Sequence, residues 1–389
     1  MNVTDAHGTV ASLRQIASTG LRDGTVRIEA ERWPEVLWGL TFHRLTGIAA
    51  AALGSGQLDL DSRQADELLD RHRSAMVNAL RIEQRMLQLC EVFTSSGVTV
   101  VVLKGPSFAH TVYPDPAMRP FGDLDLLVST KDWKAACRIL RENGFARLLP
   151  EPRPGFDERF GKSATHADAS GLQVDLHRTL VMGPFGLWLD PEELLEHAKT
   201  FSVGGRAIAR LDATGLLLNA SLHAGLGTSP PLLLPLRDVL EAARSPEVDW
   251  DRLVSWTRSW RLSAALAHAF SSAATALGVR LPAPAHEIGS ARIPRSERRA
   301  IRAYTDRRPN GGVALATMAA IPSLRAKAAY VVGLTMPSRE FIEARSSAGA
   351  HASYVSRWRV PVAWIARRSR ARRGGDPDEV RRVSREDRT

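Results

Sequence analysis

Cysteine is scarce in this chain, with only two among 389 residues, Cys90 and Cys137. Two cysteines in unrelated contexts form neither a zinc-spacing motif nor a disulfide framework, which is typical of a reducing compartment. Long apolar runs are missing as well, since none approaches the ~18 residues that a membrane helix needs. The N-terminus lacks the basic-then-apolar layout of a signal peptide. We therefore expect a cytoplasmic protein without a membrane span.

Acidic residues are fewer than basic ones, 42 Asp and Glu against 52 Lys and Arg, which gives a formal net charge of +10. The excess is uneven, because 11 arginines but 5 acidic residues lie between 356 and 389. Such a tail is typical of a solvated extension, and we expect 367–389 to be disordered. Its charge also leaves nucleic acid open as a partner.

The order of helical and strand patterns predicts an α+β protein with several domains. Helical spacing dominates both ends of the chain, whereas short β-branched runs bounded by glycine or proline occupy the middle. The predicted strands are 98–103, 124–128, 145–149 and 172–176, with a loop at 151–162 and a connection at 293–308. The predicted parts are an N-terminal helical region 1–97, a central domain 98–212, a C-terminal helical region 213–290, a helical extension 291–366 and a basic tail 367–389.

Two aspartates one residue apart, Asp123 and Asp125, carry the clearest chemical signal, in the stretch Phe-Gly-Asp-Leu-Asp-Leu-Leu-Val. Side chains alternate faces along a β-strand, so both carboxylates are expected on one face while Leu124 and Leu126 enter the core on the other. Two carboxylates so close repel each other unless a cation lies between them. The pair therefore predicts a divalent metal site.

A third acid, Asp175, lies in the later strand Val-Asp-Leu-His, again alternating with apolar residues. Three carboxylates from two adjacent strands can hold two Mg²⁺ or Mn²⁺ ions for in-line phosphoryl displacement. His177 follows two residues later, and we expect it to support the site by bonding to Asp175 or to a phosphate. The predicted metal ligands are thus Asp123, Asp125 and Asp175.

A turn between the first two predicted strands supplies groups for phosphate. In Lys104-Gly105-Pro106-Ser107, glycine lets the backbone approach a ligand, Ser107 can donate a hydrogen bond, and Lys104 offers a compact positive charge. Arg119, four residues before Asp123, can reach a phosphate from the same rim. These residues, together with His177, form the predicted nucleotide-binding set.

These motifs resemble the signature of the DNA polymerase β-like nucleotidyltransferase superfamily. The resemblance rests on Leu103-Lys104-Gly105, Tyr113, Arg119 and the segment 123–128, and it extends over roughly residues 30 to 280. More narrowly, Val-Asp-Leu-His at 174–177 resembles a bacterial nucleotidyltransferase-like family. In this sequence Pro106 separates the glycine and serine that the superfamily usually has side by side.

The resemblance implies a small mixed sheet flanked by helical regions, and transfer of a nucleoside monophosphate from an NTP, such as ATP, with release of pyrophosphate. Asp123 and Asp125 would bind both metals, and Asp175 would hold the catalytic one and orient the nucleophile. Family members often belong to biosynthetic clusters, so the acceptor is open among small molecules, peptides and macromolecules. Two alternatives remain: an inactive nucleotide- or partner-binding protein of the same fold, and an RNA-modifying nucleotidyltransferase.

Overall fold

The structure is a computed structural model that describes residues 3–227, 231–305 and 311–347. The chain divides into two compact units, one formed by Met1–Leu148 and Glu158–Ile321, the other by Leu149–Asp157 and Pro322–Thr389. The predicted basic tail, 367–389, lies outside the described residues. The division into five parts stays a prediction.

Helices make up most of the described chain. In chain order they are α1 Val3–Ala17, α2 Trp33–Phe42, α3 Thr46–Gly54, α4 Ser62–Ser95, α5 Pro106–Thr111, α6 Trp133–Glu142, α7 Phe156–Phe160, α8 Gly183–Trp188, α9 Pro191–Glu196, α10 Ala213–Leu226, α11 Leu233–Ala243, α12 Trp250–Ser259, α13 Ser263–Leu277, α14 Ala283–Ser290, α15 Arg295–Thr305, α16 Gly311–Ala320, α17 Leu324–Thr335 and α18 Arg339–Ser347. Among the described residues, no helix combines the length and apolar character that crossing a bilayer requires.

The strands are short and nearly all belong to one sheet. They are β1 Val26–Arg27, β2 Leu58–Asp59, β3 Val100–Val102, β4 Leu124–Val128, β5 Ala146–Arg147, β6 Ser163–Ala167, β7 Gln173–His177, β8 Lys199–Val203 and β9 Arg206–Arg210. Within the described part of the first unit, seven of them form a mixed sheet in the order β5-β6-β7-β4-β3-β9-β8. The α+β fold class is therefore confirmed.

Alternating residues of the sheet enter two separate cores. On one face, Val101 and Leu127 pack with the N-terminal helices and with helices α10 to α15. On the other face, Val100, Val102 and Leu126 pack with α4 and α6. Because the pleat directs successive side chains to opposite faces, each strand serves both cores. The sheet is thus covered by helices on either side.

The helix that precedes the sheet begins with a strong local signal. The Asp61 carboxylate accepts a hydrogen bond from the backbone N–H of Gln64 at 2.8 Å, while the Gln64 side chain accepts one from the Asp61 N–H at 3.0 Å. This reciprocal pair is a capping box, which satisfies two helix-end donors. Within the region 1–97 that was predicted to be helical, α4 is the longest helix.

Several strands and helices differ from the sequence expectation. The predicted loop 151–162 contains α7, and the predicted connection 293–308 contains α15. Five strands were not predicted, namely β1, β2, β6, β8 and β9. Of these, β6 lies beside β7 and completes the neighbourhood of Asp175. The four predicted strands are present as β3, β4, β5 and β7.

The second unit is built from α17, α18 and the segment before α7. Phe156 stacks on Tyr330 with ring centroids 5.8 Å apart. The backbone N–H of Ser338 donates to the Pro152 carbonyl at 2.7 Å, and Arg153 Nε donates to the Met336 carbonyl at 2.6 Å. These contacts join two parts of the chain that lie far apart in sequence.

Candidate active site

The register between β4 and β7 brings two of the predicted acids side by side. The two strands pair in parallel, and Asp125 lies directly opposite Asp175. Residues opposite each other in a sheet point to the same face. Their neighbours Leu124 and Val174 are fully buried in the core on the other face. The two carboxylates therefore share the face that the sequence pattern predicted.

Among the described residues, Asp125, Asp175 and His177 form a group that could hold a metal ion. One ligand atom from each lies within 4.8 Å of the other two. Asp123 lies just before β4 and outside this group, with its side chain 36% exposed and its Oδ1 4.0 Å from an Arg44 guanidinium nitrogen. The expected set contained Asp123 and not His177, whereas the group in the structure contains His177 with Asp125 and Asp175 and leaves Asp123 out.

His177 is held in place at both ring nitrogens. Nε2 lies 2.7 Å from Asp125 Oδ1, and Nδ1 lies 3.2 Å from the Thr179 carbonyl oxygen. The expected partner of His177 was Asp175 or a phosphate, and the observed partner is Asp125. The reason is the strand register, because His177 of β7 lies opposite Leu127 of β4, two residues beyond Asp125. A metal-binding histidine usually donates its other ring N–H to a carbonyl or carboxylate, and the Thr179 carbonyl at Nδ1 provides such a contact. Two carboxylates and one imidazole thus fit a divalent cation such as Mg²⁺ or Mn²⁺.

Lys104 forms the main charge contact of the site. Its Nζ lies 2.9 Å from Asp125 Oδ2, and the Asp125 side chain is only 2% exposed. Burial by itself raises the pKa of Asp125, but the Lys104 ammonium and the His177 hydrogen bond outweigh it and hold that pKa well below its ordinary value. Asp125 is therefore an anion whose charge is already compensated within the protein.

Gly105 makes the turn that places Lys104 at the acids. Its φ of +66° lies in the region that favours glycine, and a Cβ there would meet Phe121 Cγ at 3.3 Å. Ser107 follows in α5, fully buried, and its hydroxyl donates to the Leu103 carbonyl. Contact between Ser107 and a phosphate would require this bond to break, so its predicted role gains no support from the structure.

Arg119 is also engaged elsewhere. Its Nε and one terminal nitrogen donate to the two carboxylate oxygens of Asp238 at 2.9 and 2.8 Å. Tyr113 donates its hydroxyl to the same carboxylate at 2.8 Å, and the guanidinium carbon lies 5.3 Å from the centroid of the Phe108 ring. Burial would lower the pKa of Arg119, but Asp238 raises it. Arg119 therefore joins the acid-bearing segment to α11, and it does not reach toward a ligand in this structure.

A family model described as an uncharacterised nucleotidyltransferase matches residues 29–278, more than half of the chain. The chain belongs to this nucleotidyltransferase family. Membership of a nucleotidyltransferase family, expected from the lysine-glycine turn and the paired aspartates, is thus confirmed. The chain is also similar to the crystal structure of an antigenic nucleotidyltransferase-like protein from Paracoccidioides brasiliensis, at 14% identity and a TM-score of 0.30, over 54% of this chain and 94% of that one. No curated protein matches the chain.

Three residues around the candidate site were not assigned to it from the sequence. Thr165 of β6 donates its hydroxyl to Asp175 Oδ1 at 2.5 Å. Burial and the nearby Lys104 charge lower the pKa of Lys162, against the opposing effect of the acids. Burial and the Lys104 charge also hold the pKa of His223 well below its ordinary value, so that histidine is neutral. Thr165 and Lys162 were missed because β6 was not predicted.

Proposed function

We propose that this protein transfers a nucleoside monophosphate from an NTP to an acceptor hydroxyl, with release of pyrophosphate and with dependence on Mg²⁺ or Mn²⁺. The observation that carries the proposal is the pairing of Asp125 with Asp175 on adjacent parallel strands, with His177 beside them. Membership of a nucleotidyltransferase family supports the reaction type. The acceptor is a small molecule, peptide or macromolecule of unassigned identity.

The acids divide the work according to their surroundings. Asp125 and Asp175, together with His177, would hold a divalent cation. Such ions supply a lowered pKa at the attacking hydroxyl and neutralise charge on the leaving pyrophosphate. Asp123, more exposed than Asp125, faces the rim, where Arg44 is its nearest cationic partner. It is suited to contact with a second cation that enters with the nucleotide.

Asp175 is the acid best placed to orient the acceptor. Thr165 donates to Oδ1 and fixes the carboxylate in one orientation. The other oxygen is then left to accept a hydrogen bond from an incoming hydroxyl, since one carboxylate accepts several such bonds. A positioned acceptor reacts faster because its translational freedom has already been lost. Thr165 is thus a positioning residue that acts through Asp175.

Two lysines provide positive charge for the phosphates. Lys104 lies against Asp125. Lys162 is close enough to all three aspartates for their charges to oppose the lowering of its pKa by burial and by Lys104. With Ser107 and Arg119 engaged by protein partners, these lysines are the groups that we assign to the triphosphate. The neutral His223 lines the same region without adding charge.

The test is transfer of label from each α-³²P-labelled NTP, with Mg²⁺ and cell extract as the source of acceptor. We expect labelled product from the natural protein and from Asp59→Asn, a control that removes an exposed carboxylate paired with Arg27. Asp125→Asn and Asp175→Asn should each lower transfer by at least about 100-fold, because a cation ligand is lost. Unchanged transfer in both variants would refute the proposal. Nucleotide binding without pyrophosphate release would favour the inactive binding protein instead.

A further inference from the structure

Both oxygens of the Asp125 carboxylate are in contact with protein groups. Oδ2 lies 2.9 Å from Lys104 Nζ, and Oδ1 lies 2.7 Å from His177 Nε2. The carboxylate is 2% exposed and the Lys104 side chain 15% exposed, so water screens this ion pair poorly. A cation bound by Asp125 has to share or replace one of these two contacts.

The two contacts are not equivalent. His177 belongs to the potential ligand group and can offer a ring nitrogen to the same cation. The ammonium of Lys104 has three donors and no lone pair, so it cannot be a ligand. It also repels a divalent cation placed on the same carboxylate. Lys104 is therefore the group that a metal ion has to displace.

We propose that Lys104 is an intrinsic competitor for the Asp125 carboxylate and lowers the affinity of the nucleotide-free protein for divalent cations. The inference rests on the proposed function, because it takes Asp125 as a cation ligand. Phosphates offer the released ammonium another anion, so nucleotide and cation favour each other's binding at this site. Lys104 thereby makes the cation enter most readily together with its nucleotide.

The side chain of Lys104 has the freedom that such an exchange requires. It is a flexible four-carbon stem that carries a point charge, unlike the planar fork of an arginine. The lysine lies two residues beyond the end of β3 and directly before Gly105, and the backbone N–H of the intervening Leu103 donates to the Asp125 carbonyl at 3.0 Å. The backbone beside it is therefore held by the sheet on one side. An ammonium on such a stem can leave Oδ2 without movement of β4 or β7.

The test measures Mn²⁺ binding by electron paramagnetic resonance on the full-length protein without nucleotide. We expect Lys104→Met to bind Mn²⁺ at least about tenfold more tightly than the natural protein. The competing ammonium is gone, and the buried Asp125 carboxylate is left without a counterion. Lys162→Met is the matched control, since it removes the same charge from the same cluster but no ion pair with Asp125. It should tighten binding by less than about threefold.

A folding check keeps the comparison sound. Circular dichroism and thermal melts establish that each variant is folded, and Lys104→Gln, which retains a hydrogen-bond donor for Oδ2, replaces Lys104→Met if that variant is not. An equal gain in the Lys104 and Lys162 variants overturns the inference, because the effect would then be long-range charge alone. No gain in either variant also overturns it, because Lys104 would then not compete with the cation.

Asp125→Asn separates this inference from the proposed function. Mn²⁺ binding that is lost in Asp125→Asn but indifferent to Lys104 refutes the inference and leaves the function standing. Mn²⁺ binding that survives in Asp125→Asn refutes both. Mn²⁺ binding that no variant shows without nucleotide refutes the inference, and the label-transfer assay then decides the function.

Discussion

The buried contact between Arg119 and Asp238 gives the sharpest stability prediction. Asp238 is 2% exposed and accepts two hydrogen bonds from Arg119 and one from the Tyr113 hydroxyl. In Asp238→Ala all three donors lose their acceptor, and the guanidinium remains as a buried charge without its counterion. Breaking such a pair costs about 3–5 kcal/mol. This is a large part of the roughly 5–15 kcal/mol that stabilises a typical protein.

The measurement is urea unfolding followed by tryptophan fluorescence, with Asp59→Ala as control. The Asp59 pair with Arg27 is exposed, with side chains 46% and 83% accessible, so its loss should cost less than about 1 kcal/mol. The double variant Arg119→Met/Asp238→Leu replaces the pair by apolar groups and should recover most of the lost stability. A cost below about 1 kcal/mol for Asp238→Ala, or a double variant as unstable as the single one, would show that the buried charge is not what the pair compensates.

Two further predictions concern backbone packing and ionisation. In Gly186→Ala the new Cβ would overlap the Val181 carbonyl oxygen, whereas in Gly289→Ala it would meet nothing within 4 Å. Thermal melts should therefore show a loss of stability of about 1–3 kcal/mol for Gly186→Ala and no loss for Gly289→Ala. Equal melting points for the two variants would contradict the packing argument. Burial first, and then the Asp238 charge, raise the pKa of Tyr113 well above its ordinary value. The unfolded chain therefore loses this proton at a lower pH than the folded protein does. The stabilising contribution of the Tyr113 hydroxyl is complete below about pH 10 and declines as the pH rises toward the folded-state pKa. Absorbance titration at alkaline pH should show at least one of the four tyrosines ionising only on unfolding, and ionisation of all four in the folded state would refute this.

Local signals predicted much of the fold. The strand at 124–128 was predicted with the bounds that β4 has, because its apolar run follows a glycine and two acids. The helix α4 carries a capping signal and a long apolar face. The hairpin of β8 and β9 was missed although Gly204 and Gly205 lie between its strands at positive φ, which is a strong two-residue turn signal. Strand β6 lacks such a marker, because its sequence Ser-Ala-Thr-His-Ala has one β-branched residue.

The candidate site was predicted in its acids and less well in its contacts. That Asp125 and Asp175 share a face follows from their alternation with apolar residues. The register between β4 and β7 does not follow from this alternation, because it pairs two strands from distant parts of the chain. The same register brings His177 into the group in place of Asp123. The engagement of Arg119 by Asp238 depends on tertiary packing against α11, which no local pattern encodes.

The bond from Arg119 to Asp238 also bears on how small a working fragment can be. A fragment trimmed after residue 212 would keep the strands and every carboxylate of the site, yet it would discard the acceptor on α11 that both Arg119 and Tyr113 require. Two polar groups just upstream of the acids would then be stranded in an apolar interior. The central domain predicted at 98–212 thus depends on α11 for the partner of its buried polar side chains. We expect the central domain and the helices that follow it to fold together.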